Sequence, residues 1–96
     1  MTKLPITLYQ PYGRFSDGEW AAPGDVRTSL DDAMTDCIDA MEKRYITEFR
    51  VYRIDHNPDT GLPERVEDVS EEGCVSARKW FAENSFNVPY WLEAAR

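Results

Sequence analysis

Apolar and polar positions change period along the chain, and each change marks an element. Leu4, Ile6 and Leu8 alternate with Pro5, Thr7 and Tyr9, the period of two that predicts a half-buried strand over Leu4–Tyr9. Pro5 lacks an amide hydrogen, which places it at a strand start or on an edge. Gln10-Pro11-Tyr12-Gly13 has turn composition, and Phe15 to Ala22 is expected to return as a short second strand. Pro23-Gly24-Asp25 ends that pattern.

The period then becomes helical. Leu30, Ala33, Met34, Cys37, Ile38, Met41 and Tyr45 form one apolar stripe, which predicts a helix from about Leu30 to Arg44. Ser29 is a good N-cap, Asp31 and Asp32 suit the first turn, and Lys43 and Arg44 suit the last. Ile46 to Asp55 is rich in β-branched and aromatic residues, with Phe49 and Val51 on one face and Ile46, Tyr52 and Ile54 on the other. A strand apolar on both faces is expected at the centre of a sheet.

Asn57-Pro58-Asp59-Thr60-Gly61 has the chemistry of a hairpin turn, and Pro63 to Val69 is the returning strand. Ser70 is expected to cap a helix from Glu71 to about Asn84, with Val69 packing on Cys74 as a staple. Cys74, Ala77 and Phe81 form its inner stripe, with Trp80 beside it. Gly73 should weaken this helix by ~1 kcal/mol relative to Ala. Pro89 opens a last short helix through Tyr90, Trp91 and Leu92. The order is β(β)αββα plus a short C-terminal helix. It predicts a single α+β domain over residues 1–96, a mostly antiparallel three- to four-stranded sheet with two helices packed on it.

Composition adds a charge asymmetry. The chain has 96 residues and a net charge of −7. Between Ser16 and Glu42, eight acids face one base, Arg27, which accounts for the whole excess. Within the first helix Asp32, Asp36 and Asp39 share one face, widened by Asp31 and Glu42. Only Asp39 has a base four residues later, Lys43. A second acidic run, Glu64, Glu67, Asp68, Glu71 and Glu72, contains one base, Arg65. Side by side, the two runs would imitate the charge spacing of a nucleic-acid backbone and dock on a basic groove. Such a balance disfavours direct contact with nucleic acid or anionic lipid. No apolar run approaches the ~18–20 residues of a membrane span, and the N-terminus carries no hydrophobic signal core, so a cytoplasmic protein is expected. In that compartment Cys37 and Cys74 read as buried thiols.

Candidate chemistry changes little. Asp55-His56-Asn57-Pro58-Asp59-Thr60-Gly61 has the alternating oxygens of a calcium loop, but Thr60 stands where an EF-hand needs Gly and Val66 where it needs Glu. His56 is the only histidine, so no triad or His-metal cluster can be assembled. Glu67 and Asp68 are adjacent on a strand and point to opposite faces, which does not make an acid–base pair. The chain reads as a non-enzyme with no cofactor and no metal. Trp80, Phe81, Phe86, Tyr90 and Trp91 gather near the C-terminus. Phe81 and Phe86 are expected in the core. Trp80, Tyr90 and Trp91 offer a surface for a partner or for dimerisation.

Tyr12, Gly18 and Trp20, ahead of an acidic helix, are similar to the start of antirestriction proteins that imitate DNA. The likeness spans about a dozen residues, Tyr9–Trp20. More broadly the chain is similar in type to small phage-encoded inhibitors, anti-CRISPR proteins among them. The expected function is binding to a protein with a basic surface, such as the nucleic-acid site of a CRISPR, restriction or nuclease complex. Asp32, Asp36, Asp39, Glu42, Glu67, Asp68, Glu71 and Glu72 would be the contact residues. The alternative is an assembly subunit that self-associates through the aromatic C-terminal region.

Overall fold

The computed structural model describes residues 6–94. Its elements are β1 (Ile6–Phe15), β2 (Trp20–Ala21), α1 (Leu30–Glu42), β3 (Ile46–His56), β4 (Pro63–Asp68), α2 (Ser70–Glu83) and α3 (Tyr90–Ala94). The strands form one antiparallel sheet in the order β2-β1-β3-β4. This is the α+β arrangement that the periodicity predicts, with β3 central as expected. Leu4 and Pro5 of the predicted first strand lie outside the described residues.

β1 corrects the reading of Gln10–Gly13 as a turn: the strand runs straight through it, paired with β3 from Ile6 to Phe15. Pro11 is tolerated because of where its nitrogen points. Tyr9 exchanges both backbone hydrogen bonds with Arg27 on the outer side of the sheet (2.7 and 2.8 Å). Two residues on, the nitrogen of Pro11 faces the same way, beyond the reach of β3, so no bond of the β1–β3 ladder is lost. Gly13 belongs to the strand for a different reason. A Cβ built there would lie 2.7 Å from Cγ2 of Ile46, so the side chain of Ile46 occupies that space. The second strand is shorter than predicted, because Phe15–Glu19 closes as a turn with Phe15 N–H donating to Glu19 O (2.9 Å).

Ile46 also changes sides. A bulge between Arg14 and Phe15 in the β1 register skips Thr47, so Phe15 pairs with Ile46 while Arg14 pairs with Glu48. The extra residue restores Ile46 to the face of Phe49 and Val51, and all three are buried.

All three helices lie on that face. Ala33, Met34, Cys37 and Ala40 of α1 meet Val51 and Phe49, and α2 adds Gly73, Cys74 and Ala77 beside α1. Gly73 does more than weaken its helix. It is buried against α1, and a Cβ there would stand 2.5 Å from Sδ of Met34, so glycine permits the close approach of α1 and α2. α3 closes one end through Leu92, fully buried, and through Trp91, which meets Phe49 edge-on at 6.1 Å. Arg78 Nη1 donates to Leu92 O (3.1 Å) and ties α3 to α2. Both cysteines are free thiols in this core. No helix among the described residues is long and apolar enough to cross a membrane.

Helix ends depart from expectation in informative ways. α1 starts on Ser29 as predicted, its hydroxyl accepting from Asp32 N–H (3.1 Å). It stops at Glu42, earlier than predicted, because Arg44 takes φ 60°. Tyr45 N–H then returns to Ala40 O and Arg44 N–H to Met41 O, a Schellman closure that throws Tyr45 into solvent instead of the stripe. α2 ends the same way with Ser85 at φ 59°, Phe86 N–H on Phe81 O and Ser85 N–H on Ala82 O. Phe86 is thereby swung out to 59% exposure, against the expectation of a core residue, and stacks on Trp80. Ser70 does not cap α2. Its hydroxyl accepts from Val51 N–H in the central strand (2.9 Å), and Asp68 Oδ1 takes Ser70 N–H instead.

The predicted hairpin turn is present. Asn57 Oδ1 accepts from the amides of Asp59 and Thr60, and Gly61 N–H donates to Asn57 O (2.8 Å). Of the oxygens in the calcium-like pattern, Asn57 Oδ1 closes the turn and Asp55 Oδ1 accepts from Thr7 Oγ1 of β1.

Candidate functional site: an acidic groove at the end of β4

The first acidic run is largely engaged within the chain. Asp36 receives two hydrogen bonds from Arg27, at 2.7 and 3.0 Å, and its side chain is only 19% exposed. That pair raises the pKa of the guanidinium and fastens the loop before α1 onto the helix. Asp39 pairs with Lys43 at 3.1 Å and holds the ammonium protonated more firmly than usual. Asp31 Oδ1 accepts from Ser76 Oγ of α2 (2.9 Å). Asp32 and Glu42 remain on the exposed surface.

Asp36 lies apart from the acids of β4, although α2, which carries Glu71 and Glu72, packs on α1 and meets Asp31 through Ser76. Asp36 reaches Arg27, which flanks the outer edge of β1, whereas Glu67 and Asp68 sit on β4 at the opposite edge. Three strand spacings, about 14 Å, separate the edges. The second run has its own setting. β4 is six residues long and stops opposite Tyr52, while β3 continues back to Ile46. Beyond that stop the chain turns into α2, and α3 comes back across. The notch between them is a groove of about 750 Å³.

Its lining includes four carboxylates, Glu48, Asp68, Glu71 and Glu72, and one base, Arg50. Asp68 is oriented by Ser70 N–H at 2.9 Å and stands 3.9 Å from Arg50 Nε. The guanidinium of Arg50 also lies 5.5 Å over the ring of Trp20, so it is shared between that ring and Asp68. Tyr90, 83% exposed, and Trp91 form the aromatic wall. At the notch β3 presents Thr47–Arg50 with no strand on its β4 side among the described residues.

The groove therefore brings together Asp68, Glu71 and Glu72 of the predicted set with Tyr90 and Trp91 from the aromatic set. Glu67 points to the other face of β4, paired with Arg65 at 3.4 Å. Asp32, Asp36, Asp39 and Glu42 lie elsewhere. Glu48 was not singled out from sequence. The available signal was the mismatch between a ten-residue strand Ile46–Asp55 and a shorter return, which leaves Glu48 beyond the pairing.

Trp80 belongs to a second groove of about 650 Å³ between α1 and α2, with Met34, Ile38, Phe81, Asp31, Glu42 and Glu83. Trp80 and the Tyr90–Trp91 pair therefore line different grooves. The buried thiols offer no chemistry at the surface. Burial pushes Cys37 up to about 12, and it raises Cys74 as well. Among the described residues no group of three or more His, Cys, Asp or Glu side chains is placed to hold a metal ion.

No protein-family model matches the chain, and no curated protein and no solved structure matches it either.

Proposed function

We propose that this chain is a non-catalytic binding protein that takes a basic segment of a partner protein into the groove at the end of β4. The observation that carries the reading is a notch lined by four carboxylates, of which Glu48 and Asp68 are met by Arg14 and Arg50 while Glu71 and Glu72, in the first turn of α2, add an acidic pair uncompensated among the described residues. Lysine or arginine side chains would meet Glu71, Glu72 and Asp68, and Tyr90 adds a ring face for a cation. The free flank of β3 at Thr47–Arg50 favours an extended segment that continues the place β4 vacates. The net charge of −7 steers a basic body toward the molecule at low salt. A partner whose basic surface handles nucleic acid suits this charge, as in a phage-type inhibitor of a CRISPR, restriction or nuclease complex.

Calorimetric titration with an extended Lys/Arg-rich peptide tests the reading. Wild-type protein is expected to bind, more weakly as salt rises. Glu71→Lys combined with Glu72→Lys should weaken binding at least tenfold, the effect of about 1.4 kcal/mol. Asp32→Lys combined with Asp39→Lys should retain most of it. No binding at low salt, or loss confined to the α1 variant, overturns the groove.

A further inference from the structure

With every helix on one side of the sheet, the other side has no covering layer among the described residues. Strand alternation places Ile6, Leu8, Gln10, Tyr12 and Arg14 of β1 on that side, with Glu48, Arg50, Tyr52 and Ile54 of β3 and Val66 and Asp68 of β4. Trp20 of β2 joins them, stacked on Tyr12 at 5.9 Å, and Tyr52 meets Tyr12 edge-on at 6.1 Å. Ile6 is 49% and Val66 61% exposed. The face is thus aliphatic at one end, aromatic in the middle and charged at the other. Tyr, Trp and Arg are the residue types that dominate interface hot spots.

Its charge singles out an occupant. In a protein of net charge −7, this face carries Arg14 beside Glu48 (3.5 Å) and Arg50 beside Asp68 (3.9 Å), so these four charges cancel. A strongly basic partner is attracted elsewhere, and a polyanion finds no net positive field here. A second copy of the same chain does find complementarity, and the register shows how. A two-fold axis running along the strands between β1 and β3 lays β1 of one copy over β3 of the other. Each registered pair within one sheet then becomes a facing pair between sheets. Arg14 meets Glu48, Tyr12 meets Arg50, Gln10 meets Tyr52, and Leu8 meets Ile54. Charge falls on opposite charge, guanidinium on ring, and aliphatic on aliphatic. Aligned sheets of this kind stand about 10 Å apart and keep their strand directions within about 30° of each other.

We propose that the protein forms a symmetric dimer by packing the open faces of two sheets together. The groove at the end of β4 shares Glu48, Arg50 and Asp68 with this face, while Glu71, Glu72 and Tyr90 belong to the groove; Arg14, paired with Glu48 but outside the groove lining, is the position that probes the dimer.

Sedimentation analysis over a wide dilution series, with circular dichroism to verify folding, tests the proposal. Wild type is expected to reach a dimer mass. Arg14→Glu puts like charge on Glu48 across the axis and should weaken association about tenfold or more, as should Glu48→Arg. The double variant, Arg14→Glu with Glu48→Arg, restores opposite charges and should recover the dimer. Trp80→Ala, in the α1–α2 groove, should leave it unchanged. A monomer at every concentration overturns the proposal. So does a dimer that survives both single reversals, or one that Trp80→Ala abolishes.

Discussion

Two serines hold positions that their residue type alone does not announce. Ser70 has the look of a helix cap, yet its hydroxyl serves the buried amide of Val51 where β4 leaves the sheet. Ser70→Ala should strand that amide and cost about 1–3 kcal/mol in a denaturant melt, more than a lost surface cap. Ser85 sits at φ 59° to close α2. A left-handed serine costs about 1–2 kcal/mol, part of which glycine gives back as chain entropy. Ser85→Gly should therefore stabilise the protein by about 0.5–1 kcal/mol in the same melt. Cys37, buried and with its pKa pushed up to about 12, should resist alkylation by iodoacetamide in the native protein and react once urea unfolds it. Native reactivity equal to that of the unfolded chain would contradict its burial.

At the scale of elements, the sequence made types legible and boundaries less so. α1, the β3–β4 hairpin and α2 follow from periodicity and turn chemistry, because those signals are local. β1 was obscured because Pro11 and Gly13 have turn composition. What admits them is tertiary: an outward-facing nitrogen at Pro11 and the side chain of Ile46 filling the space beside Gly13. The face of Ile46 was misjudged for the same reason, since a bulge cannot be seen in a strict period of two. The β1–β3 pairing makes its own prediction. Thr7 Oγ1 donates to Asp55 Oδ1 at 2.7 Å, and this bond, with Arg53 beside it, holds the carboxyl below its usual range. A carboxyl lowered on folding adds stability that is complete above its unfolded pKa of about 3.9 and is lost as pH falls through the lower folded value. Wild type should therefore lose stability below about pH 4 by an increment that Asp55→Asn lacks. Parallel pH–stability curves for the two proteins would rule this out.

For the whole molecule, composition announced an excess of acid but not where it acts. Eight acids between Ser16 and Glu42 draw attention to α1, yet the fold commits Asp36 to Arg27 and Asp39 to Lys43. The smaller run acquires the groove, because β4 ends early and α3 returns beside it. The Asp39–Lys43 pair is local in sequence, whereas the Arg27–Asp36 pair and the groove are made by tertiary structure. The Arg27–Asp36 pair shows what the engaged acids do. Asp36→Asn should release the segment before α1, seen as faster amide exchange at Tyr9 and Arg27 with little change in the β3–β4 hairpin.

Pro11 has a consequence at this scale too. Among the described residues, the outer flank of β1 pairs only with a bridge at Arg27 and a two-residue strand at Trp20–Ala21. Between them β1 has no ladder partner on its outer side among the described residues, and an unpaired edge is the kind of template on which chains recruit one another into fibres, yet Pro11 at its middle is fully buried. The residue at its middle has no amide hydrogen to offer, and Gln10 Nε2 already occupies its carbonyl at 2.8 Å. An incoming strand would find both groups closed to it. The proline that disguised this strand as a turn is also its guard against edge-on polymerisation.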